Sequence, residues 1–175
     1  MSINVHDSHV DNYEIFISGG RSLGSAEVTL PDLKYMTADI KGAGIGGVIT
    51  MPSRAMFENL EMTIKWRTVN KDELKFLQHQ ALSFACYAAQ QEYDAGTGEF
   101  NVVQHKLEVQ GVPKNVNLGK LAPSEVMDTE TVISIITLKE TLKDNVILEI
   151  DKLNYVCKVN GIDLAADLKR ALGLI

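Results

Sequence analysis

The stretch TVISIITLKETLKDNVILEIDKLNYVCKV, residues 131–159, decides the fold class of this 175-residue chain. Its first part, Thr131–Leu142, is rich in β-branched residues and alternates along the chain, which is typical of a half-buried strand. The tripeptide KDN then turns the chain, and residues 146–159 return as further strand. The stretch therefore predicts antiparallel β-structure.

The same pattern extends through most of the chain. Between residues 59 and 67 the apolar side chains fall on one face; they are Leu60, Met62, Ile64 and Trp66. Further strands are predicted at Tyr13–Ser18, Ser25–Pro31 and Asp32–Ile40. The segment ALSFACYAAQQEY is ambiguous because its alanines favour a helix, but the turn signal DAGTG after it requires a strand on both sides. We therefore expect that segment to be a strand, followed by a second strand in EFNVVQHKLEVQG.

Helical signals are few. A capping box at Asn70 and Glu73 predicts a short helix from about residue 71 to 80. Near the C-terminus, Asp163 can cap a closing helix, and Gly173 can end it. The predicted fold is mainly β, a barrel or sandwich of antiparallel strands with one or two short α-helices.

Composition excludes several classes of protein. The net charge is −6 without any block of Lys or Arg, which disfavours a protein that binds DNA or RNA specifically. No apolar run approaches the ~20 residues of a membrane-spanning helix, and the polar segment 1–12 lacks a signal-peptide pattern. Cys86 and Cys157 belong to no C-x-x-C motif, so we expect two buried free thiols, or a disulfide if the protein meets an oxidising medium.

Two stretches imitate catalytic motifs. Gly42, Gly44 and Gly47 form a G-x-G-x-x-G, but residues 48–52, VITMP, cannot open the helix that a dinucleotide site requires. GRSLG, residues 20–24, imitates a nucleophile elbow around Ser22, yet a strand-like segment follows it instead of a helix.

The histidines give no better signal for a metal site, because they have no further ligands close by in the sequence; they are His6, His9, His79 and His105. We therefore predict that the protein is not an enzyme and has neither a cofactor nor a metal.

The C-terminal run VILEIDKLNYVCKVNGIDLAADLKRALGL, residues 146–174, resembles the ending of the major tail tube proteins of contractile-tailed bacteriophages and R-type bacteriocins. In those proteins a strand with the pattern L-x-E-I-D-x-x-N leads to K-V-N-G-x-D and a helix ending in Gly-Leu. The residues at these places are Glu149, Ile150, Asp151, Asn154, Lys158, Val159, Asn160, Gly161, Asp163, Gly173 and Leu174. VTLPDL, KGAGIGG, MTIKW, EYDAGTGE and DTETVISI resemble earlier family segments in the same order, whereas the polar extension 1–12 does not.

The resemblance implies one tail tube domain over residues 1–175, with residues 1–12 as a polar N-terminal arm. Hexameric rings of such domains would stack into a tube whose lumen passes DNA without specific binding. The implied partners are the tail sheath, tape measure, baseplate hub and tail terminator proteins, in a virion tail assembled in the host bacterial cytoplasm. A net negative lumen, lined by Glu and Asp of the long strands, would repel the phosphates.

We also predict a long inter-ring loop at about residues 41–56, from its glycines and its apolar residues. Its glycines would leave it mobile in the free subunit, and a neighbouring ring would bury its apolar side chains. The expected contact residues are Gly42, Gly44, Ile45, Gly47, Ile49 and Met51. Alternatives are the tube of an R-type bacteriocin or related contractile injection system and, from a different class, a monomeric β-barrel binding module.

Overall fold

The computed structural model describes residues 5–17, 21–22, 26–67, 77 and 80–174. These residues form mainly strands, and a short helix lies near the C-terminus. In chain order the elements are β1 (Val5–Ile17), β2 (Arg21–Ser22), β3 (Ala26–Thr29), β4 (Tyr35–Ile40), β5 (Ile49–Phe57), β6 (Glu61–Trp66), β7 (Leu82–Asp94), β8 (Glu99–Asn117), β9 (Thr129–Leu142), β10 (Asn145–Asp151), β11 (Val156–Val159), β12 (Ile162–Asp163) and α1 (Ala166–Ala171).

The main sheet has the order β12-β11-β10-β9-β8-β7-β1-β2, and its neighbouring strands are antiparallel. Strand β9 joins two parts of this sheet. Along one edge its residues 129–134 pair with β6 and residues 137–142 pair with β10, while β8 pairs along its other edge. Strand β3 pairs with β6. The predicted mainly β, antiparallel fold is therefore confirmed.

The strands that pair along both edges of β9 contribute side chains to one common core. Buried side chains of β1 and of β6 to β10 belong to one cluster. Met62, Ile64 and Trp66 are 0–4 % exposed, as their predicted common face requires. The Trp66 indole N–H donates to Thr131 Oγ1 across 3.1 Å, which satisfies a polar group inside this core. Full burial of one apolar side chain such as Met62 or Ile64 stabilises the fold by roughly 1.5–3 kcal/mol.

A β-bulge at Ile136 keeps the apolar side chains of both halves of β9 directed toward the core. Gly111 pairs with Ile135 and Gln110 pairs with Thr137, so Ile136 is an extra residue. The extra residue shifts the alternation by one, and both Ile135 and Leu138 are consequently buried. At Gly111 a Cβ atom would lie 2.5 Å from the Ser134 carbonyl oxygen. The close approach of β8 and β9 at this point therefore requires glycine.

The first strand begins earlier than predicted. We expected it at Tyr13, but β1 begins at Val5 and pairs with β7 up to Asp94. The prediction was wrong because residues 6–14 are exposed, so burial imposes no apolar alternation on them. Backbone pairing with β7 holds them instead.

The prediction of a long loop over residues 41–56 is wrong for its second half. Ile49–Phe57 is a strand paired with β4, and residues 41–48 form the connection. β-Branched residues at 48–50 favour this strand, and β4 provides the backbone partner that a loop assignment had left out.

The ambiguous segment before DAGTG is strand β7, and residues 95–98 form the predicted turn, with Gly98 at φ +75°. The closing helix is confirmed but begins at Ala166, because Asp163 still belongs to β12. Gly173, at φ +70°, follows its last turn. The helix predicted at about 71–80 lies outside the described residues, apart from 77 and 80. Within the described ranges, no helix has the length and apolar character needed to cross a membrane.

Candidate functional site

Strands β4 and β5, with the connection between them, form a hairpin outside the main sheet, which we call the arm (residues 35–57). All of β4 is exposed, and so is most of β5. The exposed large apolar side chains of the arm are Tyr35, Met36, Ile40, Ile45, Val48, Ile49, Met51 and Met56, which are 36–62 % exposed. A two-stranded hairpin is marginally stable alone, and contiguous exposed apolar surface marks an interaction site. The arm is therefore a candidate contact surface.

The base of the arm is fixed to the body. Tyr35 and Phe57 stack with ring centroids 4.7 Å apart, and Phe57 packs against the core. The Glu58 N–H donates to the Lys34 carbonyl across 2.9 Å. Lys152 Nζ donates to the Glu58 carbonyl across 2.8 Å, and burial lowers the pKa of Lys152. The part of the hairpin beyond this base, residues 37–52, is called the outer arm, and it thus extends from an anchored pair of strands.

The structure places all six sequence-predicted contact residues in the outer arm. Gly42, Gly44, Ile45 and Gly47 lie in the connection between the strands, whereas Ile49 and Met51 lie in β5. The pairing of β4 with β5 brings these residues together at the tip and along the adjoining part of β5.

The glycines of the tip are not packed against other groups. Gly44 has φ +89°, which glycine adopts without strain, and the Ile45 N–H donates to the Gly42 carbonyl across 3.2 Å. A Cβ at Gly42, Gly44 or Gly47 would have no neighbour within 4 Å. A strand follows Gly47, so this motif lacks the helix of a dinucleotide site.

A groove of about 1320 Å³ covers the face of the main sheet that points away from the core. We call it the concave face. Its charged lining residues are Glu14, Glu108, Lys139, Glu149 and Asp151, that is, four carboxylates and one ammonium. The groove therefore has a negative balance of charge.

Charges on this face alternate in a row across five strands. Register places Glu108 opposite Lys139, Lys139 opposite Glu149, Glu149 opposite Lys158, and Lys158 opposite Asp163. Lys158 Nζ lies 3.0 Å from Glu149 Oε2. Opposite charges in directly facing positions contribute roughly 0.2–1 kcal/mol each, so the row supports the strand register. Asp163 also pairs with Lys169 across 2.6 Å, and this hydrogen bond lowers the pKa of Asp163.

Arg21 and Ser22 of the imitation nucleophile elbow form β2, and the other three residues of that motif lie outside the described residues. Among the described residues, no group of three or more His, Cys, Asp or Glu side chains could hold a metal ion. His105 lies instead 2.7 Å from Glu140 on the neighbouring strand.

Both cysteines are free and buried, as predicted. Burial raises the pKa of the Cys86 thiol to about 11, and it also raises the pKa of Cys157, with a smaller effect from Asp163. Because the thiolate is the reactive form, we expect neither cysteine of the native protein to react with a disulfide reagent at neutral pH. Both should react after denaturation. Rapid modification of the folded protein, or a dimer on non-reducing electrophoresis, would contradict this prediction.

The family model described as phage tail tube protein FII matches residues 7–173. The tail tube protein of Escherichia phage P2 is 27 % identical over 168 residues, which are 91 % of this chain and 94 % of that protein. A solved chain of an extracellular contractile injection system, the PVC sheath/tube terminator in the extended state, has a similar fold. Its TM-score is 0.55 at 10 % identity, over 75 % of this chain and 94 % of that chain. With a family model that covers nearly all of its length, this chain belongs to the phage tail tube protein FII family.

Proposed function

We propose that this chain, as one domain over residues 1–175, builds the inner tube of a contractile phage tail through stacked hexameric rings. The observation that carries the proposal is the arm, an apolar hairpin that stands outside the main sheet of a tail tube family member. An isolated subunit gains nothing from exposing these side chains, whereas a second copy can bury them. Closed homo-oligomers provide such a repeated partner surface.

The arm makes the contact between rings in this proposal. The expected contact residues are Gly42, Gly44, Ile45, Gly47, Ile49 and Met51. The tip residues 42–47 are exposed, and they are ordered when the neighbouring ring covers them. This ordering costs roughly 1–2 kcal/mol per residue, which burial of the apolar side chains offsets.

The concave face lines the lumen in this proposal. Carboxylates outnumber ammonium groups in the groove, so the surface repels the phosphates of DNA that passes close to it. The alternating row compensates several charges locally, which keeps the sheet stable without making the surface basic. DNA therefore passes through the lumen without specific binding.

The further partners are the tail sheath, tape measure, baseplate hub and tail terminator proteins, and the protein is located in a virion tail assembled in the host bacterial cytoplasm. The role is structural, without catalysis or a cofactor. One alternative is the tube of an R-type bacteriocin or a related contractile injection system, built in the same way but carrying no DNA. The second alternative is a monomeric β-barrel module that binds a ligand in the groove.

Cryo-electron microscopy of the concentrated protein tests the proposal, with analytical ultracentrifugation to follow the oligomers. We expect hexameric rings and tubes in which the groove faces the lumen and the arm contacts the next ring. A lumen lined chiefly by Lys and Arg would contradict the DNA-passage argument. A strict monomer under all assembly conditions would contradict the tube and favour the binding module.

A further inference from the structure

The arm contains one strong irregularity, and it lies in β5. Tyr35 pairs with Phe57, but the next pair joins Thr37 to Pro52. A single residue of β4, Met36, thus faces the whole of residues 53–56, which we call the bulge. Within the bulge, Ala55 has φ +56°, a conformation that is uncommon for residues other than glycine. The regular pairing of the arm is interrupted here, between its anchored base and its outer part.

The bulge directs one charged side chain out of the arm. Arg54 Nη1 lies 3.0 Å from Asp167 Oδ2, which belongs to helix α1 and is 113 positions away in sequence. Bulges commonly re-aim a side chain in this way. The other oxygen of the Asp167 carboxylate accepts from Arg170 Nη1 across 3.2 Å. One carboxylate of the helix therefore joins the arm to the C-terminal region.

The hydrogen bonds beyond the bulge have a different character, because they join residues of the arm to each other. Thr50 Oγ1 donates to Asp39 Oδ1 across 2.8 Å, and the Ile45 N–H donates to the Gly42 carbonyl. These bonds fix the shape of the outer arm but not its direction relative to the body. The ion pair of Arg54 with Asp167, in contrast, joins the arm to helix α1 of the body.

We propose that Arg54 is a positioning residue, whose ion pair with Asp167 holds the outer arm at one angle and so preorganises it for contact with the next copy. The inference rests on the proposed function of the arm as the contact between rings. The bulge is the joint about which the arm would otherwise turn. Binding to a partner is stronger and faster when the binding segment is already ordered, because less conformational entropy is lost in the contact.

The expected effect is modest for one subunit. The Arg54 and Asp167 side chains are 68 % and 60 % exposed, and exposed ion pairs contribute little because water and salt screen them. We expect loss of the pair to lower the rate of tube formation roughly two- to fivefold. At about 1 M salt, where the screening length falls to about 3 Å, this difference from the wild type should disappear.

Distance measurements between two spin labels test the inference in the full-length subunit, below the concentration at which it assembles. One label is placed at Ala38→Cys, an exposed position in the paired part of β4, and the other at Gln104→Cys in β8, while the buried native thiols stay unlabelled. The variants are Arg54→Gln, Asp167→Asn and the double variant. Arg54→Lys keeps the charge, and Arg170→Gln removes the other partner of Asp167 without touching the arm.

We expect a narrow distance distribution in the wild type, Arg54→Lys and Arg170→Gln, and a broad one in Arg54→Gln and Asp167→Asn. The double variant should be no broader than either single variant, because both remove the same contact. Tube formation, followed by light scattering, should slow in the same variants. An unchanged distribution in Arg54→Gln would overturn the inference, and so would a broad distribution with an unchanged rate. If the wild type never forms tubes, the proposed function fails, while the distances still decide whether Arg54 positions the arm.

Discussion

Changing Ile45 and Ile49 together to Asp is expected to abolish tube formation while the subunit stays folded. Both side chains belong to the outer arm and are already 36 % and 48 % exposed, so the body loses little packing. In the assembled tube the same positions would be buried, and an unpaired carboxylate in an apolar contact costs several kcal/mol or prevents the contact. Negative-stain microscopy of the variant should show neither stacked rings nor tubes, and its circular dichroism should match that of the wild type.

The matched control changes the same two residues to Val, which keeps the β-branched apolar character and removes one methylene from each. This variant should form normal tubes. Hydrogen exchange provides a second measurement, since amides of residues 42–47 should exchange fast in the subunit and be protected in the tube. Normal tubes from the Asp variant, or equal exchange in both states, would contradict the role of the arm in stacking.

Gly111→Ala is expected to cost about 2–3 kcal/mol of unfolding free energy and to lower Tm by roughly 4–12 °C. A Cβ at this position would lie 2.5 Å from the Ser134 carbonyl oxygen and 2.7 Å from Ile133 Cγ2. The first neighbour is backbone, so β8 and β9 must separate locally to make room. Urea and thermal denaturation measure the loss.

Gly42→Ala is the control for this prediction, because a Cβ at Gly42 has no neighbour within 4 Å. Its unfolding free energy should stay within about 0.5 kcal/mol of the wild type. If Gly111→Ala unfolds at the wild-type midpoint, the close approach of β8 to β9 is not a constraint on the core, and our account of the bulge at Ile136 is incorrect.

The arm and the concave face have different roles in the proposed tube. The arm is apolar and stands outside the sheet, which suits a contact that forms only between copies. The concave face carries more carboxylates than ammonium groups and is built on the long paired strands, which suits a surface that a polyanion passes without binding. The stacking of Tyr35 on Phe57 and the ion pair of Arg54 hold the arm to the body of the subunit, which carries the concave face.

Much of the fold could be predicted from the sequence, because alternation and turn residues are local signals. The alternation at residues 60–66 identified a buried face, DAGTG identified the turn between β7 and β8, and Gly173 identified the end of the helix. The order and spacing of the segments from Val28 to Leu174 were sufficient to indicate the family, which the family model confirmed.

Tertiary structure alone decided which distant residues meet. Strand β1 begins at Val5 because β7 offers a backbone partner, and no periodicity of its own side chains indicates this. The sequence could not identify the carboxylates of the concave face, because a shift of one residue in register would move Glu108 and Glu149 to the opposite face. Arg54 and Asp167 are 113 positions apart, and a bulge and a helix bring them within 3.0 Å. The sequence by itself determined the strands that have a buried, alternating face, since alternation is local. Pairing determined the exposed strands and the surfaces, since hydrogen-bond partners and register depend on the whole chain.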